Sequence, residues 1–357
     1  MPQPTLNEHF TEQAGWCAEL GSPFTAELLR SFATSLETGG IIKTLVGDWA
    51  GNPRADALGL RLAGALHHAV LSGASAKLKS VYPTGETYPD FETIWPVVEA
   101  YLAANAERVT SFIQSPPQTN ETRRAFMLLI GLNAVSKRFR MPIHFLELGA
   151  SAGLNQNFDA FYYDAGSWQW GDQASPMTVT TNWNGPAPEF AESIYIRDRK
   201  ACDQNPLDLS DEATRLRLKS YVWPDQPERL ARFDAAADIA VSRRTKVEKA
   251  DAADWLEREL AMRPDDAVTV VFHSVFFQYP PLETRQRMMD LIEAAGAGAR
   301  SSDDAPLVWL RYEPELLWNR NAPPLALGMT CDLRTWPGDN HQILARSDGH
   351  VRNVEAL

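Results

Sequence analysis

Cysteine is scarce in this chain. Three occur among 357 residues, Cys17, Cys202 and Cys331, far apart and never as Cys-x-x-Cys. An odd, scattered set argues against a disulfide framework or a cysteine zinc site and fits a reducing cytoplasm. No His-x-x-x-His or comparable acid–histidine set is present, so no metal site is expected. His67 and His68 are neighbours, and adjacent residues on a helix point apart. No run of 18 or more apolar residues exists, which leaves no candidate for an apolar spanning helix. Residues 1–8 hold no basic segment leading into an apolar one, so a secretory signal is not expected. A surplus of positive charge is also missing. Lys and Arg number 34 against 46 Asp and Glu, a net charge of −12. Such a chain lacks the basic face that a nucleic-acid backbone requires. The short clusters at 197–200 and 243–246 are interrupted or flanked by acids and read as solvated surface. What remains is a chain acting on a small molecule, away from nucleic acid and membrane.

Apolar residues, by contrast, make up 44% of the chain, enough for a sizeable core. Tryptophan (11) and proline (24) are frequent, partly as Trp95-Pro96, Trp223-Pro224 and Trp336-Pro337. Proline drives the preceding residue towards extended backbone, so these pairs are expected at element ends, each with a ring to bury.

The first 140 residues read as helical. Apolar side chains recur at about 3.6 residues over 24–36, 58–71 and 94–112, and Pro116-Pro117 interrupts the pattern. A further helix runs from about 119 to 139, with Thr119 or Asn120 as N-cap. From Ile143 strands alternate with helices, as in a largely parallel sheet. Strands are expected at 143–148, 193–196, 245–250, 268–272 and 306–312. Helices are expected at 152–161, 212–222, 227–241, 251–260 and 282–295. An aromatic, glycine-rich stretch near 162–190 reads as an insertion, and 329–335 with 342–346 as a closing hairpin around Pro337-Gly338-Asp339-Asn340. The expected division is a helical domain, 1–117, and an α/β domain, 118–357. Its five βα units and terminal antiparallel hairpin match the layout of the class I methyltransferase fold, a doubly wound, mostly parallel sheet.

The most informative stretch is Ile143-His-Phe-Leu-Glu147-Leu-Gly149-Ala-Ser151-Ala-Gly153-Leu-Asn155. An apolar strand ends in an acid, small residues follow, and a helix begins. Glycine permits positive φ and close approach of a ligand, and a helix N-terminus offers free N–H groups. The spacing Glu-x-Gly-x-Ser-x-Gly is not the dinucleotide fingerprint. It is closer to the acid-x-Gly-x-Gly-x-Gly motif of S-adenosylmethionine-dependent methyltransferases, where Glu147 would answer the ammonium or sulfonium charge. Gly149, Ser151, Gly153 and Asn155 complete that candidate cofactor site. The alternative is a tight βα turn with Glu147 as an anchor.

In open α/β sheets ligands bind at the carboxyl ends of the strands, and the polar residues expected there extend the site. Asp203 is a candidate for ribose hydroxyls, although it lies 54 residues beyond Gly149 where about 20 is usual. Asp208 is the alternate. Asp251 is placed to accept an adenine amino group or to cap the following helix. His273 is the acid–base candidate, or else a hydrogen-bonded core histidine. Gln278 and Tyr279 are placed to orient a substrate. Arg311 and Glu313 face one side of a strand and are expected to pair with each other.

Gly149-Ala-Ser151-Ala-Gly153 also matches the Gly-x-Ser-x-Gly nucleophile elbow of α/β-hydrolases. A serine hydrolase would use Ser151, with Asp251 or Glu313 as acid and His341 or His350 as base. The helical region before the motif and the acid at Glu147 favour the cofactor reading. A cofactor-binding protein without catalysis is a third possibility.

The chain resembles a bacterial family with no assigned activity, the domain of unknown function 2332 family. The resemblance is carried by Gln118-Thr-Asn-Glu121, Glu147-Leu-Gly-Ala-Ser-Ala-Gly-Leu-Asn155, Trp170-Gly171, Asp203-Gln-Asn-Pro-Leu-Asp208, Val222-Trp-Pro-Asp-Gln226, Phe272-His-Ser274 with Gln278-Tyr279, and Trp336-Pro-Gly338. These strings span most of the chain in order. The resemblance implies a helical N-terminal part and a methyltransferase-like Rossmann fold, and names neither a substrate nor a methyl donor. Ala201 stands where glycine is expected.

Overall fold

The apolar spacing over 24–36 is realised as the helix Pro23–Glu37 in a computed structural model, which describes residues 3–299, 301, 304–319 and 328–357. The chain divides into two units. One comprises Met1–Thr119 with Ser210–Asp234, the other Asn120–Leu209 with Ala235–Leu357.

The first unit is helical. Leu6–Glu19, Pro23–Glu37, Leu58–Leu71 and Phe91–Ala104 supply its main helices. Their apolar stripes meet in one core that includes Phe10, Phe24, Phe32, Leu62, Leu66 and Leu102. The helix expected over 94–112 is two, Phe91–Ala104 and Ala106–Ile113, parted at Asn105. Trp95-Pro96 lies inside the first of them rather than at an end. The segment from Ser210 to Asp234, expected in the α/β part, joins this core through Trp223. Asp225 fixes it there by accepting Ser22 Oγ–H at 2.5 Å and Phe24 N–H at 2.9 Å. A carboxylate at a helix N-terminus is favoured by both hydrogen bonding and the helix dipole.

The second unit is mixed α/β. Its strands are β1 (Ile143–Leu148), β2 (Tyr162–Asp164), β3 (Gln169–Trp170), β4 (Thr178–Thr180), β5 (Asn182–Asn184), β6 (Ile196–Asp203), β7 (Glu248–Lys249), β8 (Val268–Ser274), β9 (Leu307–Glu313), β10 (Gly328–Trp336), β11 (Asn340–Asp348) and β12 (Asn353–Ala356). Nine form a large sheet in the order β5-β12-β11-β10-β9-β8-β1-β6-β7, and β3-β2-β4 make a small second one. From β7 to β9 all neighbours are parallel. The closing hairpin β10–β11 is antiparallel, as expected, and β12 extends it. Numbered by their own sequence order, the parallel strands stand 3-2-1-4-5, so connections leave β1 in opposite directions. That reversal is the switch point at which open α/β sheets open a crevice.

β1, β8 and β9 are buried almost throughout, which is why they read as near-continuous apolar runs. On one face Leu146, Leu148, Val271 and Trp309 pack with Trp255, Leu256, Met288 and Ile292 of the helices Ala252–Ala261 and Leu282–Gly298. Helix Ala125–Phe139 packs against β9 and β10. Two strands differ from expectation. The second parallel strand is Ile196–Asp203 instead of 193–196, and five of its eight residues are charged. Four of those charges are paired: Arg199 with Asp159 at 3.0 Å, Lys200 with Glu259 at 2.7 Å, Asp198 with His144, Arg197 with Asp266. A strand near a sheet edge tolerates such composition. The third is only the two-residue β7. The helix expected over 152–161 is a 3-10 helix, Leu154–Ala160, kinked at Asn157.

Candidate functional site

The carboxyl end of β1 leads into a loop with three residues of positive φ in alternation: Gly149 at 67°, Ser151 at 55° and Gly153 at 71°. Glycine at 149 and 153 meets this at no steric cost. A side chain at 153 would also collide with Gln156, Thr245 and Val247 at 2.6–2.9 Å. Ser151 is the one non-glycine residue forced into this region. The loop is pinned to the end of β6. Ala150 N–H donates to Cys202 O at 3.1 Å, Ser151 N–H to Asp203 Oδ2 at 2.9 Å, and Leu207 N–H to Ser151 O at 3.2 Å. Asp203 Oδ1 accepts Asn205 N–H at 2.8 Å. With Gly153 N–H donating to Ala150 O at 2.8 Å, three of the loop's N–H groups, those of Ala150, Ser151 and Gly153, are engaged internally.

Glu147 stands beneath this loop, 3% exposed, and its Oε2 has no hydrogen-bond partner. Burial, reinforced by the nearby charge of Asp203, pushes its carboxyl up to about 8. Ser151 Oγ and Asn155 Oδ1 are likewise buried and unpartnered. Leaving a buried polar atom unsatisfied costs about 1–3 kcal/mol. Three such atoms within nine residues, at the sheet's switch point, mark the place where a ligand's donors would be satisfied. The other candidate cofactor residue, Asp251, caps the helix Ala252–Ala261, accepting Ala253 N–H at 2.9 Å and Asp254 N–H at 3.2 Å. It follows β7, at the same end of the sheet.

The end of β8 is built differently. His273 is completely buried and both ring nitrogens are engaged. Nε2 accepts the indole N–H of Trp309 at 3.0 Å, which places the proton on Nδ1, and Nδ1 donates to Glu313 Oε1 at 2.7 Å. The ring stacks on Phe277 at 4.1 Å. The same Glu313 oxygen accepts Phe276 N–H at 2.8 Å and Phe277 N–H at 3.2 Å. Of the two readings of His273, the structure shows the hydrogen-bonded core histidine; sequence reasoning missed its partners Glu313 and Trp309. Between His273 and Phe276 the chain bends at Val275, whose φ of 51° is rare for a β-branched residue and costs about 1–3 kcal/mol. Gln278 and Tyr279 follow on the surface, Tyr279 at 69% exposure.

The expected pairing of Arg311 with Glu313 does not occur. Arg311 Nε donates to Asp332 Oδ1 at 3.0 Å, and the guanidinium lies between Trp309 and Trp318 at 4.4 and 4.3 Å. The neighbouring strand β10 places Asp332 directly opposite Arg311, nearer than a side chain two residues along β9. Asp332 also holds His341 Nε2 at 2.6 Å. Histidine–carboxylate pairs of this unit include His273 with Glu313, His341 with Asp332 and His144 with Asp198, and Ser151 Oγ has no partner among them. Among the described residues no group of three or more acids, histidines or cysteines is arranged to hold a metal ion. No helix among them is long and apolar enough to cross a membrane.

A family model described as "Uncharacterized protein conserved in bacteria (DUF2332)" matches residues 7–356, and the chain belongs to that family. No curated protein and no solved structure matches the chain.

Proposed function

We propose that this member of the DUF2332 family binds S-adenosylmethionine at the β1 loop and transfers its methyl group to a small molecule. One observation carries this reading: Glu147, Ser151 and Asn155 keep buried, unpartnered polar atoms around a glycine loop at the switch point. The first of these is an acid, suited to a ligand that brings positive charge, and the N–H groups of Ala150, Ser151 and Gly153 are already bonded within the protein, which disfavours phosphate. The 3-2-1-4-5 order with a closing antiparallel hairpin supports a class I methyltransferase-like fold.

When bound, the cofactor supplies an electrophilic methyl group. The chain's own residues bind and orient. Glu147 meets the ammonium end, and a positive charge there draws off its proton. Asp203 keeps Ser151 in its left-handed conformation through the 2.9 Å bond, and it has lone pairs left for ribose hydroxyls. Asp251 reaches adenine only if one of its cap bonds is given up. Gln278 and Tyr279, exposed beyond β8, orient the acceptor. His273 acts on the site through Glu313, because its nitrogens are both committed. Co-crystals with S-adenosylhomocysteine test this placement, with ligand density expected beside Gly149 and Glu147. Density elsewhere, or none at saturating ligand, would refute it.

A second reading is a serine hydrolase. It is favoured by the positive φ of Ser151, 55°, in a Gly-x-Ser-x-Gly turn between strand and helix. A nucleophilic serine needs an imidazole within reach, and that hydroxyl has no partner.

A further inference from the structure

A side chain on Gly149 would have its Cβ 2.1 Å from Cδ2 of Phe276. The Phe276 ring therefore lies directly on the backbone of the first glycine of the loop, over the ground that the proposed ligand needs. Three further observations show how it is held. Glu313 Oε1 takes the N–H groups of both Phe276 and Phe277. Phe277 is fixed, 1% exposed and stacked on His273, whereas Phe276 is only partly buried. Val275, immediately before it, holds a left-handed backbone conformation that a valine leaves readily once the surrounding contacts release it.

We infer that Phe276 is the door of the site: its ring covers the Gly149 loop, latched by Glu313, and swings aside when a ligand enters. Phe277 and His273 form the fixed jamb, and Val275 is the hinge. The inference rests on the site proposed above but not on the identity of its ligand. The occupant that displaces Phe276 presents an apolar or planar surface to Gly149, since it replaces a phenyl ring there.

The test needs no ligand. In an S151C variant the new thiol sits two residues beyond Gly149, and its labelling by a small disulfide reagent reports whether the loop is covered. With Phe276 intact, labelling should be slow. In S151C/F276A it should be at least tenfold faster, and in S151C/F276L, which keeps an apolar plug, it should stay slow. The buried Cys331 of the same unit is the internal reference: its labelling should not change, which separates opening of the door from general loosening. E313A, which removes the latch, should speed labelling in the S151C background as well. A thiol labelled equally fast with and without Phe276, or accelerated only together with Cys331, would overturn the inference. A Phe276-shielded thiol in a protein that shows no affinity for S-adenosylmethionine would retain the door and remove the cofactor reading.

Discussion

The Asp203 carboxylate accepts the backbone N–H of Ser151 at 2.9 Å across two strands of the sheet. It thereby ties the end of β6 to the only non-glycine left-handed residue in the β1 loop. Its other oxygen holds Asn205 N–H. Removing both bonds in D203A should lower unfolding stability by about 1.5–3 kcal/mol, the range for hydrogen bonds to a charged group. D203N, which keeps one acceptor, should lose less. Urea unfolding followed by tryptophan fluorescence measures both. Equal stability of wild type and D203A would show that the loop is fixed by other means.

Glu147 makes stability depend on pH. Its folded value is raised from 4.5 to about 8 by burial and then by Asp203. Between those values the folded chain holds a proton that the unfolded chain has released. The stabilising contribution is complete below about pH 4.5 and is lost as pH rises through about 8. E147Q should remove that slope and exceed wild type in stability at pH 8.5, while binding a cationic ligand at least tenfold more weakly. Identical pH profiles for the two proteins would contradict the burial of an unpaired carboxyl.

The helical unit should show the opposite slope. His9 is buried, its Nε2 accepts Gly59 N–H at 3.0 Å, and burial lowers its value from 6.5 to about 4. His67, donating from Nδ1 to Ser220 O at 3.1 Å, is lowered to about 4 for the same reason. The unfolded chain binds these protons first, so their contribution is present above pH 6.5 and lost as pH falls through 4. Replacing either by glutamine should flatten the acid limb of the stability profile measured by circular dichroism. An unchanged acid limb in both variants would count against buried, neutral imidazoles.

His273 should behave as a structural residue. H273A leaves Glu313 and the Trp309 indole without their buried partner, which should cost about 3–5 kcal/mol. Thermal unfolding reads this directly, and a stable H273A protein would reopen a purely chemical role.

The fold was legible where one element made its own case. Continuous apolar runs announced β8 and β9, and the helical period announced Pro23–Glu37 and Leu58–Leu71. It was illegible where partners lie far apart in sequence. The charges at 197–200 do reach the surface, but the strand that carries them is not seen until Asp159, Glu259 and Asp266 are found to pair with them. Nothing local in Trp223-Pro-Asp-Gln tells that Asp225 caps a helix two hundred residues earlier. The same holds for the site. The β1 loop could be read from its glycines and its acid, and the 54-residue gap to Asp203 is bridged by the small sheet β2–β4 and by β5. The partnership of Glu313 with His273 in place of Arg311, and the lodging of Phe276 on Gly149, depend on side-chain registers across three strands that no spacing rule encodes.

The hydrolase alternative has its own check. Wild-type protein should resist labelling by a fluorophosphonate at Ser151, and S151A should still bind S-adenosylmethionine, weakened only by loss of the one unpartnered hydroxyl. Stoichiometric labelling lost in S151A would instead establish a nucleophile.

Isothermal titration of the purified protein with S-adenosylmethionine and S-adenosylhomocysteine, up to millimolar ligand, addresses the proposed site most directly. Saturable heat with one site per chain is expected, weakened at least tenfold in E147Q and D203A. The absence of heat with both ligands, or binding indifferent to Glu147 and Asp203, would contradict it.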